Sequence, residues 1–281
     1  MRGGLHTPGL AALTLAVGMA TTLAAPPARA QTLGLRLILV GDSTLAPRSG
    51  YGNALCERLP LLACLNLARG GRSSKSFRAE GLWDSVMTLL REGGQRDLVL
   101  IQFGHNDQPG KPGRSTDLAT EYGPNLARYV KEAQSAGAAV LLVTPLTRRS
   151  FNAQGQLAND LRPWAEAMQA VGRELQVRVI DLNALSAAAV QAMGQAEADT
   201  LAIAPPPAAA TATAAASGPG SPPLPGTLQA ERQGEAKPLF DRTHVGPKGA
   251  AFFAELLLRE LLVTRPELAV AARPPAPPAG R

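Results

Sequence analysis

Residues 35–44 read Leu-Arg-Leu-Ile-Leu-Val-Gly-Asp-Ser-Thr. A near-continuous apolar run that stops on Gly41, Asp42, Ser43 and Thr44 is how a strand buried on both faces of a sheet runs out into a turn. Similar runs follow at Ala63 to Ala68, Leu98 to Phe103, Ala139 to Thr144 and Val177 to Leu182. Helical patterns lie between and after them, at Asn53 to Leu59, Gly81 to Arg91, Asp117 to Ser135, Leu157 to Leu175 and Pro247 to Leu262. The last is introduced by Gly246-Pro247, and proline is tolerated in a first helical turn. Strand alternating with helix predicts an α/β doubly wound domain, and five strands fit the flavodoxin-like parallel order better than the six-stranded dinucleotide fold.

The ends and one internal stretch fall outside that pattern. Residues 1–30 carry Arg2, an apolar run from Leu10 to Leu23 and Ala28-Arg29-Ala30, the signature of a cleaved signal peptide. Its apolar part is shorter than the ~20 residues of a bilayer span, so export to a periplasm or the medium is expected, with no membrane span in the mature chain. The domain is expected over residues 31–271. From about Ala202 to Glu235 the chain is nearly all Ala, Pro, Gly, Ser and Thr, a composition too poor in large apolar groups to pack, and residues 272–281 are Pro-rich in the same way. The net charge of +6 becomes +4 once Arg2 and Arg29 leave with the leader. No basic block with interleaved aromatics points to nucleic acid. Cys56 and Cys64 would meet an oxidising compartment, where either a disulfide or two buried thiols is compatible with their spacing.

Four short blocks carry chemistry. Ser43 stands at the carboxyl end of the first strand, where open α/β sheets place their sites, although Asp42-Ser43 equally suits a turn and helix cap. A serine hydroxyl attacks usefully only when a positioned base takes its proton. His6 leaves with the leader, so His105 and His244 are the candidate bases. Asp241-Arg242-Thr243-His244 puts a carboxylate three residues before an imidazole, close enough to orient it through Nδ1 and leave Nε2 for Ser43. Gly104-His105-Asn106-Asp107 closes the third strand, and the Asn106 amide there is a candidate donor to an oxyanion, or else the start of an Asx turn. Because neighbouring side chains of an extended segment diverge, only one of His105 and Asn106 can face Ser43. The second strand runs into Ala68-Arg69-Gly70-Gly71-Arg72-Ser73-Ser74, where a glycine N–H can approach the same oxyanion.

Taken in order, these blocks resemble the SGNH (GDSL) hydrolase superfamily, named for Ser, Gly, Asn and His in four blocks, over about Leu35 to Leu262. Gly71-Arg72-Ser73-Ser74-Lys75-Ser76-Phe77, Glu80-Gly81-Leu82-Trp83, Gln102-Phe103-Gly104-His105-Asn106-Asp107 and Thr144-Pro145-Leu146-Thr147-Arg148-Arg149 narrow the resemblance to its rhamnogalacturonan acetylesterase branch. The resemblance implies a three-layer α/β/α fold and Ser43 as nucleophile. It implies an oxyanion hole of the Ser43 and Gly71 N–H groups with the Asn106 amide, and Asp241 and His244 as orienter and base. Tyr51-Gly52 stands where that branch often shows Trp between glycines, and the Ala/Pro-rich stretch directly precedes the Asp241 loop.

The expected reaction is hydrolysis of a carboxylic ester by acyl transfer through Ser43. No cofactor or metal is expected, since no His/Asp/Glu cluster has ligand spacing. Arg72, Lys75, Arg148 and Arg149 fall on loops at the carboxyl edge, where a cationic rim would suit a uronate-bearing polysaccharide; solvated or internally paired charges are the plainer use of the same residues. The expected partner is an acetylated poly- or oligosaccharide or another small ester, and the expected state a monomer. A general short-chain carboxylesterase or lipase-like enzyme is the alternative chemistry, and a non-catalytic carbohydrate-binding protein on the same fold the alternative class.

Overall fold

The computed structural model of the chain describes Met1 and residues 34–206 and 239–272. The expected leader beyond Met1, the Ala/Pro-rich stretch from residue 207 onward and the tail from residue 273 lie outside the described residues. Five strands, β1 (Leu35–Gly41), β2 (Ala63–Asn66), β3 (Arg96–Gln102), β4 (Ala139–Val143) and β5 (Arg178–Ile180), form one sheet in the order β2-β1-β3-β4-β5. Every pairing is parallel. This is the flavodoxin-like order expected from the sequence, with its reversal of direction at the β1/β3 boundary.

Alternate residues of each strand feed two separate cores. Leu35, Leu37 and Leu39 of β1, Leu98 and Leu100 of β3 and Val143 of β4 pack with α1 (Gly52–Glu57), α6 (Leu182–Asp199) and α7 (Pro247–Thr264) on one face. Ile38, Val40, Val99, Ile101 and Leu142 face α3 (Leu82–Glu92), α4 (Gly123–Ser135) and α5 (Arg162–Glu174) on the other. The result is the three-layer α/β/α arrangement that the resemblance implied. A short α2 (Ser76–Ala79) precedes α3, a π-turn over Leu118–Tyr122 leads into α4, and a 3₁₀ segment over Pro266–Ala271 follows α7. Helix α3 buries Trp83, Val86, Met87 and Leu90, the i, i+3, i+4, i+7 stripe of an amphipathic helix. Arg36 breaks the apolar run of β1, yet it lies opposite Asp97 of β3 and makes a two-pronged contact with it at 2.6 and 3.0 Å, which satisfies both buried charges.

Several boundaries shift by a few residues from the sequence reading, and three differences have a clear local reason. Helix α5 begins at Arg162 rather than Leu157, because Leu157 pairs back with Phe151 and the Asn152 carboxamide accepts from the Gln154 and Gln156 N–H groups to close a turn. Strand β5 stops at Ile180, since Asp181 caps the next helix by accepting from Ala184 N–H. That helix, α6, was not expected at all. Its Ala-rich sequence presents little contrast between faces, and Gly194 (φ 74°) breaks it internally. Among the described residues no helix is long and apolar enough to cross a membrane.

Candidate active site

Ser43 and Asn106 leave the carboxyl ends of β1 and β3, adjacent strands on either side of the reversal, so the sheet itself brings two of the expected blocks together. The turn after β1 is held from within. Asp42 Oδ1 accepts from the Thr44 N–H at 2.9 Å and the Thr44 hydroxyl at 2.8 Å, and the Asp42 carbonyl accepts from the Leu45 and Ala46 N–H groups. Ser43 is left 7% exposed, and its carbonyl accepts from the Ser49 hydroxyl at 2.8 Å. Tyr51, the departure from the family pattern, is fully buried; its N–H donates to the Thr44 carbonyl and its hydroxyl to Gln102 Oε1. Gln102 in turn donates to the Thr44 hydroxyl, fastening the first turn to the end of β3.

The oxyanion donors expected at Gly71 and Asn106 lie on loops that are bonded to each other. Gly71 adopts φ +75°, a conformation that favours glycine, and its carbonyl accepts from Arg114. Neither the Ser43 nor the Gly71 N–H meets an acceptor among the described residues. Asn106 is 3% exposed and gives one amide hydrogen to the Arg72 carbonyl at 3.1 Å, which orients the group and leaves its second hydrogen available. Asp107 braces this junction: its carboxylate accepts from the Ser74 hydroxyl at 2.5 Å, the Ser74 N–H at 3.1 Å and the Thr116 hydroxyl at 3.3 Å. Burial raises Asp107 to about 7, against the Ser74 hydrogen bonds, which pull the other way.

The structure separates the two candidate bases. His105 is 2% exposed and turned inward, its Nδ1 3.4 Å from Asp42 Oδ2, and burial holds its pKa below the ordinary imidazole range. His105 thus packs against the first turn through Asp42, while its neighbour Asn106 bonds to the Gly71–Arg72 loop, so the two adjacent side chains diverge as expected of a strand end. His244 keeps about a quarter of its side chain exposed, and its Nδ1 lies 2.8 Å from Asp241 Oδ2. Asp241 Oδ1 also accepts from the Thr243 and His244 N–H groups, both at 2.7 Å. Burial pushes the Asp241 carboxyl up, but the hydrogen bond and charge of His244 with these N–H groups outweigh it and the group sits below the ordinary carboxylate range. Val245 N–H donates to the Ser49 carbonyl at 2.9 Å, and Ser49 holds the Ser43 carbonyl, so a two-bond bridge ties the His244 loop to the Ser43 turn.

The expected cationic rim is altered. Arg149 is fully buried and cannot be a rim residue; its guanidinium is directed at the backbone of the Asp241–His244 loop. Arg72 pairs with Glu80 at 2.8 Å, Lys75 with Glu121 at 3.3 Å and Arg148 with Asp160, so the other three are internally compensated. A cleft of about 540 Å³ lies beside the Asn106 loop, lined by Pro109, Gly110, Ser115–Leu118, Pro163 and Trp164. None of Ser43, Asn106, Asp241 or His244 lines it. Among the described residues no three His, Cys, Asp or Glu side chains are grouped to hold a metal ion. Sequence reasoning missed Ser49, Asp107 with Ser74, and the Tyr51–Gln102–Thr44 chain, whose residue types carry no signal of the long-range bonds they make.

The GDSL-like Lipase/Acylhydrolase family model matches residues 39–205. The chain belongs to this family. It is accordingly a hydrolase of ester bonds. The matched span of this GDSL-like hydrolase includes Ser43, Gly71 and Asn106 and stops before Asp241 and His244, so the pairing of those two rests on the geometry. The rhamnogalacturonan acetylesterase RhgT of Bacillus subtilis (strain 168) is 34% identical over 172 residues, 58% of this chain and 72% of that one. The rhamnogalacturonan acetylesterase of Emericella nidulans is 39% identical over 83 residues, 29% of this chain and 31% of that one. These relatives occupy the branch expected from the sequence blocks. Among solved structures, the Bacillus subtilis protein YxiM superposes with a TM-score of 0.60 at 22% identity, over 83% of this chain and 57% of that one. The acetylxylan esterase Axe2 of Geobacillus stearothermophilus gives 0.52 at 16% identity, over 85% and 97%. At such identities the two superpositions speak for the fold.

Proposed function

We propose that this GDSL-like hydrolase removes acetyl groups from a plant cell-wall polysaccharide of the rhamnogalacturonan type, with Ser43 as nucleophile and Asp241–His244 as its activating pair. The observation that carries the mechanism is the oriented Asp241–His244 contact of 2.8 Å, on a loop bonded through Ser49 to the Ser43 turn. With Nδ1 donating to Asp241, His244 presents Nε2 as the basic nitrogen. Nε2 takes the Ser43 hydroxyl proton as Oγ bonds to the acetyl carbon, and the carbonyl electrons move onto oxygen, facing the Ser43 and Gly71 N–H groups and the Asn106 amide. Collapse breaks the bond to the sugar oxygen, which leaves with the proton from His244. Water then attacks the acetyl-serine, giving its proton to His244, and acetate departs as that proton returns to Ser43.

The substrate reading is supported by the identity to rhamnogalacturonan acetylesterases over most of their length. Export is part of the same proposal. It is supported by the leader-like residues 1–30 and by the disulfide joining Cys56 of α1 to Cys64 of β2, since such bonds persist in oxidising compartments. The test is acetate release by the chain from Gln31 on p-nitrophenyl acetate, acetylated rhamnogalacturonan and acetylated xylan, beside Ser43→Ala and His244→Ala. Turnover of the rhamnogalacturonan in preference to the xylan, with losses of several orders of magnitude in both variants, bears the reading out. Equal rates on both polymers would remove the substrate assignment, and activity surviving Ser43→Ala would remove the mechanism.

A further inference from the structure

The loop from Asp241 to His244 lies outside any strand or helix, so its backbone carbonyls must find donors elsewhere or remain unpaired at a cost. One residue meets all four. Arg149 gives its own N–H to the Arg242 carbonyl at 2.9 Å, Nη1 to the Thr243 carbonyl at 3.2 Å, and Nη2 to the Asp241 and His244 carbonyls at 3.2 and 2.8 Å. The two N–H groups that remain toward the base, those of Thr243 and His244, go to Asp241 Oδ1. Arg149 thus holds the loop's carbonyls from the protein interior while Asp241 holds its N–H groups.

Nothing about packing requires an arginine there. The side chain is fully buried, and among the described residues no carboxylate lies within ion-pair distance of it, so its direct contacts are carbonyl dipoles, with Asp241 and Asp199 acting only at longer range. Burial lowers its pKa to about 10, opposed by the charges of Asp241 and Asp199, and the group remains cationic at neutral pH. A buried cation without an ionic partner is unfavourable, and a methionine or leucine would fill similar space without that penalty. What only the planar guanidinium fork provides is several donors in fixed directions. The residue is anchored from behind as well: its carbonyl accepts from Gln195 at 3.2 Å, Gln195 also donates to Asp199 at 2.6 Å, and Asp199 pairs with Arg242 at 3.0 and 3.1 Å. The loop is therefore clamped to α6, the helix that the sequence pattern did not reveal.

We infer that Arg149 is a positioning residue for catalysis, setting the place of the His244 ring by fixing four consecutive carbonyls of its loop. This inference rests on the esterase reading of the site and deepens it. Arg149 touches neither substrate nor reacting atoms; it acts through the backbone of the base. Because displacement of a reacting group by ~1 Å lowers rates by about a hundredfold, loss of the clamp should lower kcat while leaving KM nearly unchanged.

The experiment compares Arg149→Met and Arg149→Lys with the wild type in the chain from Gln31. The rate of p-nitrophenyl acetate hydrolysis is normalised to sites titrated by a fluorophosphonate, and the imidazole signals of His105 and His244 are followed by nitrogen-15 NMR. Arg149→Met is expected to lower kcat per titrated site by about a hundredfold with KM little changed, and to broaden or split the His244 signals while those of His105 stay in place. Arg149→Lys, which keeps the charge and one donor group, is expected to recover part of the rate. A wild-type rate per titrated site in Arg149→Met overturns the inference, as does a raised KM for anionic esters at unchanged kcat, which would make Arg149 a substrate contact. If Arg149→Met does not fold, Arg149→Lys decides alone: full activity with unaltered His244 signals overturns the clamp. If the wild type neither hydrolyses the ester nor takes the probe, the esterase reading fails, and the His244 signals still test the clamp, an unchanged spectrum in Arg149→Met refuting it.

Discussion

Replacing Asp107 by asparagine should change how stability depends on pH, in a direction that follows from where the carboxyl sits. Burial raises Asp107 to about 7 from an ordinary 3.8, and Asp42 adds to the shift through its own charge. A raised carboxyl means that the folded state binds the proton more tightly than the unfolded chain. Its contribution is therefore most favourable at low pH and fades as pH rises from the unfolded value through the folded one. Over the whole range the difference is about 3 pH units, or about 4 kcal/mol. Between pH 6 and pH 8 alone, a group titrating near 7 when folded and already ionised when unfolded changes stability by about 1.4 kcal/mol. In the Asp107→Asn variant the carboxamide would keep an acceptor for Ser74 without the titration. The assay is denaturant unfolding of both proteins at pH 6 and pH 8. Relative to the variant, the wild type should gain about 1.4 kcal/mol on going from pH 8 to pH 6, equivalent to about 3–6 °C in Tm for a domain of this size. His105, held below its ordinary range by burial, shifts stability in the opposite sense, favouring the folded state as pH rises, but it is common to both proteins. A wild-type-to-variant difference that does not change with pH would refute the reasoning, because it would mean that the Ser74 and Thr116 hydrogen bonds outweigh burial and keep Asp107 ionised throughout.

Asn106→Ala should lower kcat on p-nitrophenyl acetate by roughly 10²–10³-fold with the fold intact, the loss seen when one oxyanion donor is removed from a comparable hydrolase; steady-state kinetics check it. Replacing Cys56 and Cys64 together by Ser opens the short loop between α1 and β2, eight residues apart in sequence. That should cost about 2–3 kcal/mol of stability, read by unfolding under oxidising conditions, with little change in kcat because neither residue approaches the site. Ser49→Ala leaves the buried Ser43 carbonyl without its donor, which should cost about 1–3 kcal/mol, and should lower kcat more than KM, since Ser49 also joins the Ser43 turn to the Val245 N–H.

The fold was legible because its signal is local and repeated. The apolar runs at Leu35–Val40 and Leu98–Phe103 are each long enough to be read alone, and parallel pairing of such strands needs helices between them. Helix α6 was not legible, because alanine does not distinguish a buried face from an exposed one and the stretch leads into sequence of similar composition. The positions of the blocks proposed to carry the nucleophile and an oxyanion donor were legible for a related reason: Gly41-Asp42-Ser43-Thr44 and Gly104-His105-Asn106-Asp107 stand at strand ends, so their place follows once the strands are known. The resemblance alone preferred His244 over His105 as the base; tertiary structure adds that His105 packs against Asp42 while His244 pairs with Asp241. Arg149 was misread for the converse reason. Its loop does lie at the carboxyl edge, as expected, but adjacent side chains diverge, and Arg148 reaches Asp160 at the surface while Arg149 enters the interior.

These differences in legibility mirror two ways of holding the site. The proposed nucleophile and oxyanion side is held by a local bond, Asp42 to Thr44, and by bonds about thirty residues apart in sequence, Asn106 to Arg72 and Asp107 to Ser74, between loops that leave neighbouring strands. The base side is reached through the Asp241 loop, whose fixed position depends on bonds spanning more than ninety residues, from Arg149 to the carbonyls of Asp241, Thr243 and His244. The Ser49–Val245 bond then fastens that loop to the Ser43 turn. The chemistry requires the two sides in register to within a fraction of an ångström at the moment Nε2 takes the proton. Loosening the base side would therefore be expected to slow proton transfer while leaving the oxyanion donors formed, whereas loosening the Asp107 junction would disturb the donors and leave the imidazole oriented. The two lesions are separable by one comparison: a substrate with a better leaving group should recover more of the rate when the fault lies with the base, because His244 must also protonate the departing oxygen, than when it lies with the donors, which are needed whatever group departs.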